Sequence, residues 1–302
     1  MEAVRRKEVA IVGGGPAGLA AAVYLARLKR SVAVIDGSQS RLANVPRTRN
    51  YPGFPDGIPG PALLAALREQ VSRYPIDHVG AQVESLERTS DGFRLAWPGG
   101  ALDARMVLMA TGASDVPPAM PHLAHALRTG LLRYCPVCDG YEVIDLKVGV
   151  VANGAAGVQE ALYLRHFTDD VTVFMMPDAP ALDAAEHARA GKASIRLAAG
   201  AVDSIREWNG KISVRHGTED TACDSLYSAL GLRIHSNLAQ EAGARTDENG
   251  YLVTDRHHAT NVRGLYAAGD VTLGLNQISV AVGGGAIAGA AMHLALARAE
   301  RD

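Results

Sequence analysis

Apolar and polar positions alternate with glycine along this chain in a repeating grammar. The run Val9-Ala-Ile-Val12 leads into Gly13-Gly14-Gly15-Pro16-Ala17-Gly18 and then an alanine-rich stretch reaching Leu28. An unbroken apolar run closed by glycine predicts a strand buried on both faces, and the stretch after Pro16 predicts a helix. The same order returns in Val148-Gly-Val-Val151, the turn Ala152–Gly157, a helix from Val158 to about Phe167 and a strand Val171–Phe174.

Between and after these units the pattern predicts further elements. Ser31–Ile35 reads as a strand ending at Asp36, and Arg41–Pro61, rich in Pro, Gly and Asn, as a long ordered loop. A helix follows from Ala62 to about Tyr74, then two or three strands in Val79–Trp97 split by Asp91-Gly92. A buried strand Met106–Met109 ends in Ala110-Thr111-Gly112. Strands are expected near Ile195, near Ile212 and over Ser225–Leu230, with the chain returning to the first unit near Asn237. The polar tract Asp178–Lys192 reads as solvated surface. Near the end, Gly264–Asp270 is a strand ending in Gly-Asp, and a small-residue helix runs from Val282 to about Ala297. At 302 residues the chain should divide into two domains.

Composition narrows the function classes. A net charge of −2 with interspersed signs gives no field that favours nucleic acid or an anionic membrane, which leaves small-molecule chemistry. Met1–Glu8 lacks a signal-type apolar run, and no stretch reads as the roughly 20 apolar residues of a spanning helix. Three cysteines are too few for a secreted disulfide framework, so a soluble, cytoplasmic protein is expected.

The first glycine turn is a nucleotide site. Gly13 permits the tight turn, Gly15 lets backbone approach a pyrophosphate, Gly18 lets the helix pack on the strand, and Pro16 and Ala17 open that helix. Asp36, about twenty residues on, is placed to hold the ribose hydroxyls of an adenosine and exclude a 2′-phosphate. The turn alone does not distinguish FAD from NAD. Ala110-Thr111-Gly112 suits a backbone passing close to a cofactor. Asp270 after Gly269 is placed for a ribityl or ribose hydroxyl, and the helix start after Gln277-Ile278 for a flavin carbonyl or phosphate.

Cys135-Pro136-Val137-Cys138-Asp139-Gly140 supplies the reactive element. Cysteines two residues apart can close a small disulfide, and an acid directly after the second can give a proton to the sulfur released when it opens. No second pair completes a zinc site: His122, His125, His257 and His258 lie in unrelated segments, and Cys223 reads as a buried small hydrophobe. No metal is expected.

Taken together, Gly13–Gly18, Asn50-Tyr-Pro-Gly-Phe54, Ala110–Gly112, Cys135–Gly140, Glu160-Ala-Leu-Tyr-Leu164 and Gly264–Asp270 resemble the low-molecular-weight thioredoxin reductase family, in order and spacing over almost the whole chain. The resemblance implies an α/β fold of two Rossmann-like, three-layer ββα domains, the second inserted into the first. FAD would occupy 1–114 with 240–302, and the inserted NAD(P)-binding-like domain, 115–239, would carry the cysteine pair. It further implies a homodimer, domain rotation, and Asn50, Gln277 and Ile278 among the cofactor contacts. Cys138 would lie against the flavin, Cys135 would attack the partner disulfide, and Asp139 would be the acid.

The departures concern NADPH. The family's second glycine motif reads Ala152 at its first position, Met175-Met176-Pro177 stand in place of the basic cluster for a 2′-phosphate, and Asn276 replaces an arginine before Gln277. Hydrogen bonds to charged groups contribute about 1.5–3 kcal/mol each, so losing a pair predicts that NADPH is not the normal reductant. Relatives without nucleotide readouts include ferredoxin-linked reductases and oxygen-using dithiol oxidases, the latter usually with histidine where Asp139 stands. The expected activity is thiol–disulfide exchange with a thioredoxin-like protein or a small dithiol or disulfide, with ferredoxin or oxygen as electron partner. A conventional NADPH-dependent reductase and a non-catalytic flavin redox sensor are the other readings.

Overall fold

A computed structural model describes residues 5–301; Met1–Val4, part of the charged N-terminal stretch considered above, lie outside it. Arg5–Val12 is the centre of a mostly parallel sheet, flanked by Val32–Ile35 on one side and Gly100–Met109 on the other. Alternation along this strand feeds two cores. Val9 and Ile11 face a layer of helices with Leu19, Leu25, Met292 and Leu296, whereas Ala10 and Val12 face Phe93, Leu95, Val107 and Leu252. Each fully buried Val or Ile side chain contributes about 1.5–3 kcal/mol.

The Gly100–Met109 strand is longer than its sequence core and divides its partners. Its first half pairs antiparallel with Gly92–Trp97, which continues to Ser85–Thr89, while Val107–Met109 pair parallel with Leu265–Ala267. A β-meander thereby covers one face of the parallel sheet, and the other face carries the helices Pro16–Arg27, Gly60–Ser72 and Ile278–Ala299.

The final helix begins at Ile278, four residues before the expected Val282, so Gln277 is its N-cap residue. It packs on the first helix at very short range: a Cβ on Gly285 would collide with the Ala17 carbonyl, and one on Gly289 would lie 3.2 Å from the Ala21 carbonyl oxygen. This helix corrects the expectation that no stretch has spanning length, since it is long and apolar enough to cross a membrane. Its Ala281, Ala288, Met292 and Leu296 side chains are part of the protein core.

A two-stranded antiparallel connector, Ala113–Asp115 with Leu232–Ile234, leads into and out of a second lobe. There Val148–Ala152 lies between Val171–Met175 and Ser225–Ala229 in a parallel sheet whose edges are Arg196–Leu197 and Leu132–Arg133. The antiparallel strands Val202–Trp208, Lys211–His216 and Glu219–Cys223 form a separate sheet packed nearby. Two local expectations change. The second turn's helix spans Ala155–Leu164 rather than starting at Val158, and the tract expected to be plain surface contains the helix Ala184–Lys192. Asp183 and Glu186 form a reciprocal capping box at that helix's start, a pattern legible as D-x-x-E. Past the connector, Leu238, Ala239 and Ala242 join the first lobe's core.

Candidate functional site

A cleft of about 1060 Å³ opens at the C-terminal end of the first sheet. Its floor is the first glycine turn. Gly13 has φ +111°, and a Cβ there would strike the Ala110 carbonyl; a Cβ on Gly18 would strike the Gly13 carbonyl, which is why helix and strand meet so closely. Gly15 caps the helix, Pro16 is its first residue, and Ala17 packs under Gly269, whose Cβ would lie 2.9 Å from that of Ala17. Of the expected site residues, Gly13, Gly15, Pro16, Ala17, Asp36, Asn50, Ala110, Thr111, Gly112, Gly269, Asp270, Gln277 and Ile278 line the cleft, with Cys135, Cys138 and Asp139. Gly18 lies beneath the turn and supports it from behind.

Asp36 reaches over the turn. Its carboxylate accepts from Ser38 N at 3.0 Å and from Arg68 Nη2 at 3.1 Å, and it occupies the space a Cβ on Gly14 would need. Gly14 and Arg68 are therefore part of the site, although the motif reading used only the other glycines. Farther along, Thr111 Oγ1 donates to the His235 carbonyl at 2.6 Å, where the connector starts.

Arg41 sits in the long loop and was not distinguished by sequence. Its guanidinium meets Asp115 on the connector, with Nε 2.7 Å from Oδ2 and Nη2 on Oδ1, and reaches Asp270 Oδ2 at 3.1 Å. Burial raises the Asp270 carboxyl above its ordinary range while Arg41 opposes the shift. Burial also pushes the neighbouring Tyr134 phenol up to about 12, with Asp115 adding to the rise.

Cys135 and Cys138 form a disulfide at the start of the short helix Pro136–Asp139. Three polar side chains connect it to the first lobe. Thr48 Oγ1 donates to Asn50 Oδ1 at 3.0 Å, Asn50 Nδ2 donates to Gln277 Oε1 at 2.9 Å, and Gln277 Nε2 is 3.2 Å from Cys138 Sγ and 3.5 Å from Cys135 Sγ. Asn50 also lies 3.4 Å from the Val137 carbonyl, and Arg49 pairs with Glu142 at 3.6 Å. These contacts between the lobes are polar and few, so they can be exchanged for water at little cost.

Asp139 faces away from the disulfide into the second lobe. Arg133 Nη1 donates to Oδ2 and the Tyr227 hydroxyl to Oδ1, each at 2.8 Å. Burial raises its carboxyl and is the strongest influence; Arg133 and Tyr227 pull it down, and Glu142 raises it. A single tyrosine in the buried strand Ser225–Ala229 is itself a sequence signal that its hydroxyl has a partner, whereas nothing local marks Arg133. Cys223 is fully buried, and its thiol is pushed up to about 12 by burial, which makes it unreactive.

The second turn repeats the order strand–turn–helix on a different backbone: Gly154 at the helix N-cap has φ +88°, where Gly15 has −84°. A Cβ on Gly157 would collide with the methyl of Ala152, the strand above ends in Met175-Met176, and Arg189 on the neighbouring helix binds Gln159 at 2.6 Å.

The profile of the family described as pyridine nucleotide-disulphide oxidoreductase matches residues 7–285. A thioredoxin reductase of Peptoclostridium litorale is 29% identical over 299 residues, covering 93% of this chain and 94% of the relative. Among solved structures, thioredoxin reductase from Streptococcus pyogenes MGAS5005 superposes with a TM-score of 0.89 at 30% identity, covering 97% of this chain and 99% of that one. HlmI superposes with a TM-score of 0.88 at 28% identity, covering 100% and 96%.

Proposed function

The chain belongs to the pyridine nucleotide-disulphide oxidoreductase family, as a thioredoxin reductase-like flavin-dependent disulfide oxidoreductase, and from that premise we propose that it exchanges electrons between bound FAD and a partner dithiol or disulfide without NADPH as the normal reductant. The observation that carries this is the Cys135–Cys138 disulfide, hydrogen-bonded through Gln277 to the rim of a cleft whose floor is the glycine turn.

The residues fit FAD. Only glycine fits at Gly13 and Gly14, where a Cβ would strike the Ala110 carbonyl and the Asp36 carboxylate, so the turn keeps its backbone open to a pyrophosphate, Asp36 is placed for the adenosine ribose, and Asp270 with the start of the final helix for the flavin half. Bound there, FAD supplies the two-electron chemistry. The chain's own part is to hold Cys138 beside Gln277, to present Cys135 for exchange with the partner, and to keep Asp139 as the proton-bearing group behind the pair. The lobe division at 115 and 239 is part of this reading: 1–114 with 240–302 holds the cofactor, and the inserted lobe carries the cysteines.

The partner is a thioredoxin-like protein or a small dithiol or disulfide in the cytoplasm, and ferredoxin or oxygen stands at the other end of the electron path. Against NADPH stand Ala152, Met175, Met176 and Asn276, none of which brings the positive charge of an arginine to a 2′-phosphate. Val280, Ile287 and Leu294 are exposed at seven-residue spacing on the final helix, beside Tyr24 and Leu28, and this apolar stripe supports a homodimer.

An anaerobic titration tests the reading. A dithiol should bleach the flavin stoichiometrically, whereas NADPH at micromolar levels should leave it yellow; rapid bleaching by NADPH would restore the conventional reductase. Cys138→Ser should keep its flavin and lose dithiol turnover altogether, and turnover at the original rate would remove the cysteine pair from the mechanism.

A further inference from the structure

One side chain of the first lobe meets the sulfurs, and a carbonyl of the second lobe decides which end of it they see. Gln277 is the N-cap residue of the final helix, yet its side chain makes no capping hydrogen bond. It reaches instead to the disulfide, with Nε2 3.2 Å from Cys138 Sγ and 3.5 Å from Cys135 Sγ. An amide can present its acceptor or its two donors, and the neighbours fix the choice. The Val137 carbonyl can only accept, so the Asn50 atom 3.4 Å from it is the NH2 nitrogen. That same nitrogen donates to Gln277 Oε1 at 2.9 Å, which leaves Asn50 Oδ1 for the hydroxyl of the buried Thr48 at 3.0 Å. The chain Thr48–Asn50–Gln277 therefore runs in one direction and ends with N–H groups on sulfur.

The two sulfurs are not served alike. Cys135 Sγ also accepts from Cys138 N at 3.2 Å, at the start of the short helix, whereas Gln277 is the only donor to Cys138 Sγ among the described residues. The charged groups around the pair are bound elsewhere. Asp139 is held by Arg133 and Tyr227, and Glu142 pairs with Arg49 at 3.6 Å. The helix packed on the cysteine turn carries Glu160, and the first lobe brings Arg41 with Asp115 and Asp270, next to Tyr134. None of these side chains makes a hydrogen bond to either sulfur.

We propose that Gln277 stabilises a thiolate at Cys138 when the couple opens, and that Asn50 and Thr48 are positioning residues that keep its donors turned to the sulfur. Two electrons, from the flavin or from a substrate dithiol, break the S–S bond and leave two sulfur anions. One proton from solvent settles on one sulfur, giving one thiol and one thiolate; closing the bond sends two electrons out and returns that proton. A disulfide sulfur is a weak acceptor, but a thiolate takes a charge-assisted hydrogen bond roughly twice as strong as a neutral one, so Gln277 favours the charge at Cys138.

This inference rests on Cys135–Cys138 being the redox couple, and its test separates the two. Each thiol is read alone, Cys138 in Cys135→Ser and Cys135 in Cys138→Ser, so that they do not titrate as a coupled pair. Alkylation by iodoacetamide is followed by mass spectrometry from about pH 5 to about pH 10. Adding Gln277→Met should move the Cys138 inflection up by about one unit and that of Cys135 by less; the shift is at the low end for a hydrogen bond to a charged group because the rim at Asn50 is exposed. Asn50→Ala should raise the Cys138 inflection by a smaller amount, and by nothing further once Gln277→Met is present, a pattern that a general loss of packing would not produce. A uniform change in rate with the inflections in place, or equal shifts from Asn50→Ala with and without Gln277→Met, overturns the proposal. Loss of dithiol turnover in Cys138→Ser beside superimposable alkylation profiles overturns it and leaves the redox couple standing. A wild-type disulfide that dithiol cannot open overturns both. Should Gln277→Met not fold, Asn50→Ala decides alone: a raised Cys138 inflection is expected, and an unmoved one overturns the proposal.

Discussion

The two strand–turn–helix units share an order of elements and differ in what the turn leaves open. At the first, a Cβ at Gly13 would meet Ala110 and one at Gly14 would meet the carboxylate of Asp36, so the glycines hold space beside a charged group and a wide cleft. At the second, Gly154 has φ +88° and a Cβ on Gly157 would meet the methyl of Ala152, while Met175-Met176-Pro177 bring no basic side chain. Close helix–strand packing holds in both, whereas an acidic side chain beside the glycines is present only in the first, and the proposed loss of NADPH recognition rests on that difference and on the missing basic cluster. A glycine turn is therefore a packing device first, and it becomes a nucleotide site only with a side chain that reads the ligand.

The most damaging way to break the contrast is Gly14→Ala. The new methyl and the Asp36 carboxylate cannot share one place, and with Cγ only 2.5 Å from the ideal Cβ the whole side chain must leave the turn. Flavin content of the purified protein should fall by about tenfold or more, equivalent to about 1.4 kcal/mol or more of binding. A protein as yellow as wild type would show that Asp36 and the turn do not act together.

Next in size is an attempt to make the second turn behave like the first. Met175→Arg with Met176→Arg supplies two guanidinium groups where the strand ends, and each charge-assisted hydrogen bond is worth about 1.5–3 kcal/mol. NADPH affinity, measured by equilibrium dialysis, should rise by about two orders of magnitude, with NADH unchanged. Equal gains for both nucleotides would mean that added charge acts without reading the 2′-phosphate.

A smaller effect isolates packing from recognition. Gly157→Ala gains about 0.8–1.0 kcal/mol in helix propensity but overpacks against Ala152, at a cost of about 1–3 kcal/mol. A net loss near 1 kcal/mol is expected in denaturant unfolding, with flavin content unaffected. Adding Ala152→Gly should recover it, and failure of that rescue would remove the steric account of the second turn.

How far the sequence carried these distinctions depended on the distance over which each was written. The first turn, Asp36 and the cysteine pair are local patterns, and the structure brings them to one cleft. The helix Ala184–Lys192 was also written locally, in Asp183 and Glu186, but its polar composition hid it. The final helix starts at Ile278, four residues before the sequence signal at Val282, because Val282 and the glycines after it look like the beginning of a small-residue face. Arg41 with Asp115 and Asp270 could not be read at all: its partners lie 74 and 229 residues away, and only the sheet order brings them together.

The smallest expected effect asks whether charge at the first turn belongs to Asp36 or to its partner. Arg68 is bound to Asp36 at 3.1 Å, but its side chain keeps 45% of its exposure against 21% for Asp36. An ion pair that wet contributes about 0.2–1 kcal/mol, because water and salt screen it and the long side chain loses rotamer freedom. Arg68→Ala should therefore weaken FAD binding by no more than about fivefold, and the difference should shrink in high salt. Asp36→Ala should be the worse of the two at every salt concentration, because it removes the acceptor proposed for the ribose. If Arg68→Ala proved as damaging as Asp36→Ala, the first turn would be reading its ligand with a cation, and the distinction drawn between the two turns would rest on the wrong residue.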